Sequence, residues 1–395
     1  MKETSGILSD RIKHVPRSFI REILKVARDP SIISFAGGLP NEQLFPLKQI
    51  EQATKDVFAD HGTEILQYSN SEGYLPLRQL ISASYARRQG LNVPPENILI
   101  TNGSQQGLDL LGKVLVNQND AIVVEEPGYL GAIQALSLYS SRFIPVPVHP
   151  AGMDIEILAT TLEQRVPKLV YAVPNFQNPS GISYSAENRS AVAELLRGTQ
   201  CLLVEDDPYG ELRFSGEEKP SFYKLAPKNT VLLGSYSKTV APSFRLGWIV
   251  APDWLMEKLI IAKQAADLHT NGFVQHILHR YLSTSDIKAQ IDKISKFYGD
   301  QKKLMMASIS CHFPSAVEVT DPEGGMFLWA TLPESLSSVD LFNRAIHEKV
   351  AFVPGDPFYI NKVHTNTFRL NFSCVGGESI ENGITRLGCL IKSCL

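Results

Sequence analysis

Four stretches of the sequence carry residue types that do chemistry when they stand at the end of a strand. The first is TNGSQQGLDLLGKVL (101–115), where an apolar run ends in a Gly-Ser-Gln turn and a helical pattern begins. Free N–H groups at a helix start, the positive end of its dipole and the Ser104 hydroxyl together favour an anion such as a phosphate. Ser104 is equally suited to be a plain N-cap. The missing GK[ST] argues against a nucleotide P-loop, and the turn is not GxGxxG. The second stretch is GSYSKTVAPSFRLGW (234–248), with Lys238 directly after an apolar run and Ser235, Ser237 and Arg245 around it. Desolvation and neighbouring cations depress a lysine pKa, and the neutral amine attacks a carbonyl to form a Schiff base. The bland alternative is an exposed loop lysine. Arg245 and the two serines suit a second half of the anion site.

The third stretch is LLVEDDPYGEL (202–212), an apolar strand ending in acids at 205 to 207, with Tyr209 shortly after. A carboxylate there can pair with a protonated ring nitrogen, the arrangement that makes a pyridine ring an electron sink. A metal site or a helix cap is the alternative. A metal is disfavoured, because no histidine lies nearby and the acids fall on alternating faces. The fourth is VPNFQNPSG (173–181), a strand followed by a tight turn, in which Asn178 either presents an amide to a phenolic oxygen or is only a turn residue.

Such groups need a scaffold that gathers strand ends. Between about 95 and 250 the β-branched runs NILIT (97–101), AIVVEE (121–126), KLVYAVP (168–174), CLLVEDD (201–207) and TVLLGSYS (230–237) recur with helical stretches between them. That rhythm predicts an α/β fold with a mostly parallel sheet flanked by helices, and an open sheet of this kind places ligands at the C-terminal strand ends. After Trp254 a long pattern near 3.6 spacing reads as a connecting helix. VEVTDP, GGMFLWATLP, AFVPGD and TFRLNFS then alternate as a smaller antiparallel sheet, and GESIENGITRLGCLIKSCL closes as a helix, a second, smaller α+β domain. VPRSFIREILKVARD reads as a short amphipathic helix, and SFAGGLPNEQLFP as a segment without regular structure. The expected division is 1–45 as an N-terminal helix and lid joining the small domain, 46–285 as the large domain, and 286–395 as the small domain.

With 395 residues, 44% hydrophobic and 20% charged, the chain has the composition of a soluble globular protein. A balance of 38 basic against 41 acidic residues supplies no positive field for nucleic acid or an anionic membrane surface. No uniformly apolar stretch of membrane-spanning length and no secretory h-region is present, so a cytoplasmic enzyme is expected. The five cysteines are scattered without CxxC or Cys/His spacing, so neither a disulfide framework nor a bound metal is expected.

Taken together, GSQQ (103–106), EPGY (126–129), NPSG (178–181), EDDPY (205–209), SYSKTVAPSFRLG (235–247) and TFRLNFS (367–373) resemble the fold-type I aminotransferases, the pyridoxal phosphate enzymes of the aspartate aminotransferase superfamily. The likeness covers nearly the whole chain. SFAGGLPNEQLFP, LQYSNSEGYLPLR, ITNGSQQGLDL and AKQAADLHT are similar to the 2-aminoadipate and kynurenine aminotransferase branch, which also resembles the effector domains of MocR-type regulators.

The resemblance implies that Lys238 holds pyridoxal 5'-phosphate as a Schiff base and serves as the catalytic base. It implies that Asp206, three residues before Tyr209, pairs with the pyridine nitrogen, that Tyr209 and Asn178 hydrogen-bond the phenolic oxygen, and that Tyr129 stacks on the ring. Ser104, Gln105, Ser235, Ser237 and Arg245 take the phosphate. Tyr68 resembles the tyrosine that reaches the phosphate from the neighbouring subunit, which implies a homodimer. Arg369, flanked by residues that prefer burial, calls for a carboxylate partner; the family implies the substrate α-carboxylate. Arg21 either presents a cation to an acidic substrate side chain or is one charge on a solvated helix face, and Gly38 lies in the segment expected to fold over the site. The expected reaction moves the amino group of 2-aminoadipate or glutamate, with room for aromatic or branched amino acids, to 2-oxoglutarate by a ping-pong mechanism. A pyridoxal phosphate β-lyase is the first alternative. A ligand-sensing regulator domain is the second, and the roughly forty residues ahead of the first large-domain elements argue against it.

Overall fold

The computed structural model describes residues 7–13, 23, 29–139, 142–362 and 364–395. Fourteen strands lie among these residues. In chain order they are β1 (Ile33–Ser34), β2 (Ile98–Thr101), β3 (Ala121–Glu126), β4 (Arg142–His149), β5 (Gly152–Met153), β6 (Leu169–Ala172), β7 (Leu202–Asp206), β8 (Thr230–Ser235), β9 (Gly247–Val250), β10 (Glu318–Val319), β11 (Phe327–Thr331), β12 (Val350–Ala351), β13 (Val353–Pro354) and β14 (Thr367–Asn371).

Eight of them form one sheet in the order β2-β9-β8-β7-β6-β3-β4-β5. The neighbours β8, β7, β6, β3 and β4 are all parallel. Their cores are apolar on both faces, as helix-covered strands must be. Two strands depart from the parallel rule: β5 runs antiparallel to β4, and β9 runs antiparallel to both β8 and β2. The double reversal leaves β2 pointing the same way as β8, so the end of β2, the start of β9 and the end of β8 share one edge of the sheet.

The strand β4 contains Pro145 and Pro147, which the sequence analysis did not read as a strand. The register explains the tolerance. The Pro147 carbonyl faces the β5 side, where it accepts from the Asp154 N–H at 2.9 Å, so the missing N–H points away from β3 and costs no ladder bond there.

The single connecting helix expected after Trp254 is three helices, Asp253–Asp267, Gly272–Thr284 and Ile287–His312. Leu268, with φ at 66°, ends the first. Asn271 and Asp286 then cap the other two through side chains that accept from the N–H groups of Val274 and Ala289. A 3.6-residue pattern continues across such breaks because each helix buries a stripe of its own.

A second sheet, β10-β11-β14-β13, is antiparallel and carries Arg369 at the middle of β14, opposite Trp329 and Val353. The early chain joins this end of the molecule: β1 pairs in parallel with β12, Ile33 opposite Val350. The segment after β1 then runs along the end of β14, tied by Phe35 O to Asn371 N–H at 2.9 Å and by Asn41 Nδ2 to Ser373 O at 3.1 Å. No helix of the described residues is long and apolar enough to cross a membrane.

Candidate active site

Chain order differs from order along the sheet edge, and the edge order assembles the site. Reading across β2, β9, β8, β7, β6 and β3, the groups that follow the ends of the parallel strands or precede β9 are Ser104, Arg245, Lys238, Asp206, Asn178 and Tyr129. All six line one cavity of about 550 Å³, together with Gly38, Gln105, Tyr209, Ser235, Ser237 and Arg369. Of the residues singled out from the sequence, two stand apart. Arg21 lies outside the described residues. Tyr68 is 79% exposed, away from this cavity, with its ring edge-on to His269 at 5.8 Å.

At one end of the cavity, the N-cap of the helix Ser104–Leu115 is Gly103, and no side chain caps it. This corrects the reading of Ser104 as a plain N-cap: Ser104 is the first helical residue, and while the Gln106 N–H donates to Gly103 O at 3.2 Å, the helix start offers the N–H groups of Ser104 and Gln105 to an anion. Gly103 has φ at 74°, and a Cβ there would meet Arg245 Nη2 at 2.7 Å, so the close approach of Arg245 requires a glycine. Ser235 Oγ and Ser237 Oγ lie 3.0 Å apart beside it. Gln105 Nε2 donates to Gly131 O at 2.8 Å. One guanidinium, three hydroxyls and a helix start thus converge, a donor set suited to a phosphate.

In the middle stands Asp206, 2% exposed. Its Oδ2 accepts from Tyr171 Oη at 2.7 Å, whereas Oδ1 has no hydrogen-bond partner among the described residues. Burial pushes its carboxyl up to about 7, and Asp207 adds to the rise while the Tyr171 hydroxyl opposes it. A buried carboxylate oxygen lining a cavity without a donor is expensive unless a ligand supplies one, and a protonated ring nitrogen is such a donor. The neighbouring acids are already engaged. Asp207 Oδ1 accepts from Asn175 Nδ2 and Gly210 N–H, both at 2.9 Å, and Glu205 Oε2 accepts from Ser221 Oγ at 2.6 Å and Tyr223 N–H at 3.0 Å.

Lys238, in the turn after β8, donates from Nζ to Gly38 O at 2.7 Å. Burial and then Arg369 lower its pKa to about 8, with Cys374 opposing and Arg245 adding the smallest effect. Arg369 is 3% exposed and donates from Nη1 to Asn178 Oδ1 at 2.7 Å and from Nη2 to Ala36 O at 2.9 Å, with Nε unpaired. Its guanidinium carbon lies over the Phe327 ring at 4.3 Å and 5.4 Å from that of Phe358. Burial pulls its pKa down to about 10. Tyr209 is buried edge-on to Phe327, and burial raises its phenol well above the usual range, as it lifts Tyr129 to about 12.

Sequence reasoning missed the groups that hold Asn178. Gln177 Nε2 donates to Glu125 Oε2 at 3.0 Å and Pro127 O at 2.8 Å, and Gln177 Oε1 accepts from Ser180 N–H at 2.8 Å. Glu125 Oε1 accepts in turn from Val173 N–H at 3.0 Å and Tyr184 Oη at 2.8 Å. Both X-Pro bonds of this region, Glu126–Pro127 and Asn178–Pro179, are cis. The acid at the end of AIVVEE was the available signal, since an apolar strand that keeps a buried carboxylate must satisfy it. Tyr171, Phe327 and Phe358 were equally silent, because each belongs to a run that reads as core. Among the described residues, no group of three or more His, Cys, Asp and Glu is arranged to hold a metal ion.

The cavity therefore fits pyridoxal 5'-phosphate on three separate observations: the orphaned Asp206 Oδ1, the uncapped helix start beside Arg245, and a lysine amine between them. Comparison with known proteins agrees. Residues 32–387 match the family described as aminotransferase class I and II. The chain is 40% identical to aromatic-amino-acid aminotransferase 1 of Thermococcus litoralis, over 97% of this chain and 94% of that one. It is 38% identical to the 2-aminoadipate transaminase of Thermus thermophilus, over 96% and 95% of the two chains. Its fold superimposes on the crystal structure of Pyrococcus horikoshii kynurenine aminotransferase, a complex that contains PMP, with a TM-score of 0.95 and 38% identity over 100% and 99% of the two chains. The chain belongs to the class I and II aminotransferases, pyridoxal phosphate enzymes of fold type I.

Proposed function

We propose that this aminotransferase takes the amino group of an acidic L-amino acid such as 2-aminoadipate or glutamate, and also of aromatic or branched ones, and passes it to 2-oxoglutarate in two half-reactions at one site. The observation that carries this reading is the buried Arg369 guanidinium lining the same cavity as Lys238 Nζ. Bound pyridoxal phosphate supplies the electron sink that makes a substrate Cα–H acidic.

The chain's own groups do the rest. Arg369 grips the substrate α-carboxylate bidentately and so fixes which Cα bond faces Lys238. Lys238 takes that proton and returns it, and its lowered pKa leaves a useful fraction of neutral amine near pH 7 to 8. Asp206 would hold the ring nitrogen's proton through Oδ1 while Tyr171 fixes the other oxygen. Tyr209 and the Asn178 amide would hydrogen-bond the phenolic oxygen, Tyr129 would pack on the ring, and Ser104, Gln105, Ser235, Ser237 and Arg245 would hold the phosphate. Gly38 belongs to the segment that covers the site, and its carbonyl accepts from Lys238 Nζ.

The same reading makes the working unit a homodimer, with Tyr68 reaching the neighbour's phosphate. Its exposure supports this, as does that of Leu47, Leu66 and Leu75 in the same part of the chain. Domain limits of 1–45, 46–285 and 286–395 accord with the two sheets and the β1 to β12 pairing.

A panel of amino acids assayed with 2-oxoglutarate tests the substrate assignment. Arg21→Ala is expected to raise KM for acidic donors about tenfold, the size of one exposed charge-assisted contact, with little change for phenylalanine or leucine. Equal loss for both classes would remove Arg21 as the selector.

The pH dependence of cofactor capture tests Lys238 separately. Only the neutral amine attacks the aldehyde, and below a pKa of about 8 the neutral fraction grows tenfold per pH unit. Stopped-flow uptake of pyridoxal phosphate by cofactor-free protein should therefore rise from pH 6 to 8 and level off above. A flat profile would exclude Lys238 as the nucleophile.

A further inference from the structure

The stretch AKQAADLHT (262–270) has no task in the reaction above, yet its geometry points straight at the phosphate end of the cavity. It closes the helix Asp253–Asp267, which packs on the helix Ser104–Leu115. Asp267 Oδ2 accepts from Asn102 Nδ2 at 2.5 Å and from Gln106 Nε2 at 2.8 Å. Gln106 Oε1 accepts from the Asn102 N–H at 2.8 Å. One carboxylate thus binds the residues on both sides of Gly103-Ser104-Gln105. Asn102 also touches the second half of the cradle, since its carbonyl accepts from Arg245 Nη2 at 3.4 Å.

A bare carboxylate here would work against its own purpose, because its negative charge would repel a phosphate seated on the turn it shapes. Lys263 removes the conflict. Its side chain is 0% exposed, and Nζ lies 2.6 Å from Asp267 Oδ1. A buried ammonium persists only when paired, so the two residues form a unit with no net charge behind the anion site. The pair gives the turn rigid acceptors without adding negative potential.

We infer that Asp267, charge-balanced by Lys263, is a positioning residue that holds the 102–106 turn in the shape that receives the cofactor's phosphate. This rests on the cofactor reading above and makes a distinction that a merely structural role would not. The contact concerns the phosphate alone, so the affinity for pyridoxal phosphate should change while that for pyridoxal, which lacks the phosphate, should not.

Cofactor-free full-length protein is titrated with each compound and followed by absorbance. In Asp267→Asn the amide presents an N–H₂ to at least one of three donors, and the Kd for pyridoxal phosphate is expected to rise about tenfold, with the pyridoxal Kd within twofold of wild type. Gln106→Met keeps the buried pair and removes the two Gln106 side-chain hydrogen bonds, to Asp267 and from the Asn102 N–H, so a rise of a few-fold for pyridoxal phosphate alone is expected; if Asp267→Asn does not fold, this variant decides by the same ratio. Equal weakening of both compounds, or no change in either, overturns the assignment. A wild-type protein that takes up neither compound overturns the cofactor reading itself, and this inference with it.

Discussion

Lys238→Ala should lower kcat by about 10⁴-fold or more and abolish the visible absorption of the lysine-bound cofactor. Positioned proton transfer alone accounts for about 10² to 10⁴. Loss of the covalent attachment point adds to it, and among the described residues no other amine lines the cavity, whose remaining cations there are the guanidinium groups of Arg245 and Arg369. The fold should survive, because Lys238 sits in a turn and its one hydrogen bond goes to the Gly38 carbonyl. Removing an ammonium with a depressed pKa also has a sign for stability. A lysine whose folded pKa lies near 8 is charged at a cost below that pH in the folded state, so the alanine variant should gain stability relative to wild type at pH 7 and lose that advantage as pH rises through 8 to 10.5. Absorbance spectra, steady-state rates and thermal melts at two pH values check all three. A variant with wild-type turnover would falsify the assignment of the base.

Arg369→Lys separates substrate grip from cofactor chemistry. The guanidinium is fixed by Asn178 Oδ1 and Ala36 O and by the aromatic rings on its faces, so its fork is already oriented when a carboxylate arrives. A lysine keeps the charge but offers a shorter point donor, which loses one of two charge-assisted hydrogen bonds, about 1.5 to 3 kcal/mol. The expected result is a fall of about 10- to 150-fold in kcat/KM for every amino acid regardless of side chain, with the cofactor's absorption unchanged. Alanine is the poorer test, because it strands the acceptors on Asn178 and Ala36. If Arg369→Lys weakens only acidic donors, Arg369 binds the side chain rather than the α-carboxylate.

Much of the scaffold was legible because a helix-covered parallel strand has to be apolar throughout. AIVVEE, KLVYAVP, CLLVEDD and TVLLGSYS stand out for that reason, and β3, β6, β7 and β8 fall on them. β4 escaped notice since its prolines signal a turn, and only the pairing on each side reveals that their missing N–H groups face away from β3. The three helices after Trp254 merged into one for a related reason. Periodicity reports which face is buried, whereas the breaks depend on a positive φ at Leu268 and on two local caps.

The site divides in the same way. Residue type was enough to mark Lys238, Arg245, Asn178 and Arg369 as groups with chemical capacity, and motif likeness was enough to name the family. Among Glu205, Asp206 and Asp207, alternation indicated only that they face different ways. The family resemblance picked out Asp206, and the tertiary structure supplies the physical reason: Asp206 lines the cavity with a buried oxygen that has no partner among the described residues, whereas Glu205 and Asp207 leave no such oxygen.

What this sequence determined by itself is the central strands of the large sheet and the chemical groups at their ends, since hydrophobic patterning and residue type are local properties. The tertiary structure decided the order in which those ends meet and the electrostatic state of each group. β9 inserted antiparallel between β2 and β8 brings Arg245 against Gly103, and burial lowers Lys238 and raises Asp206. Strand order and desolvation arise from contacts between residues far apart in the chain, and no local pattern encodes them.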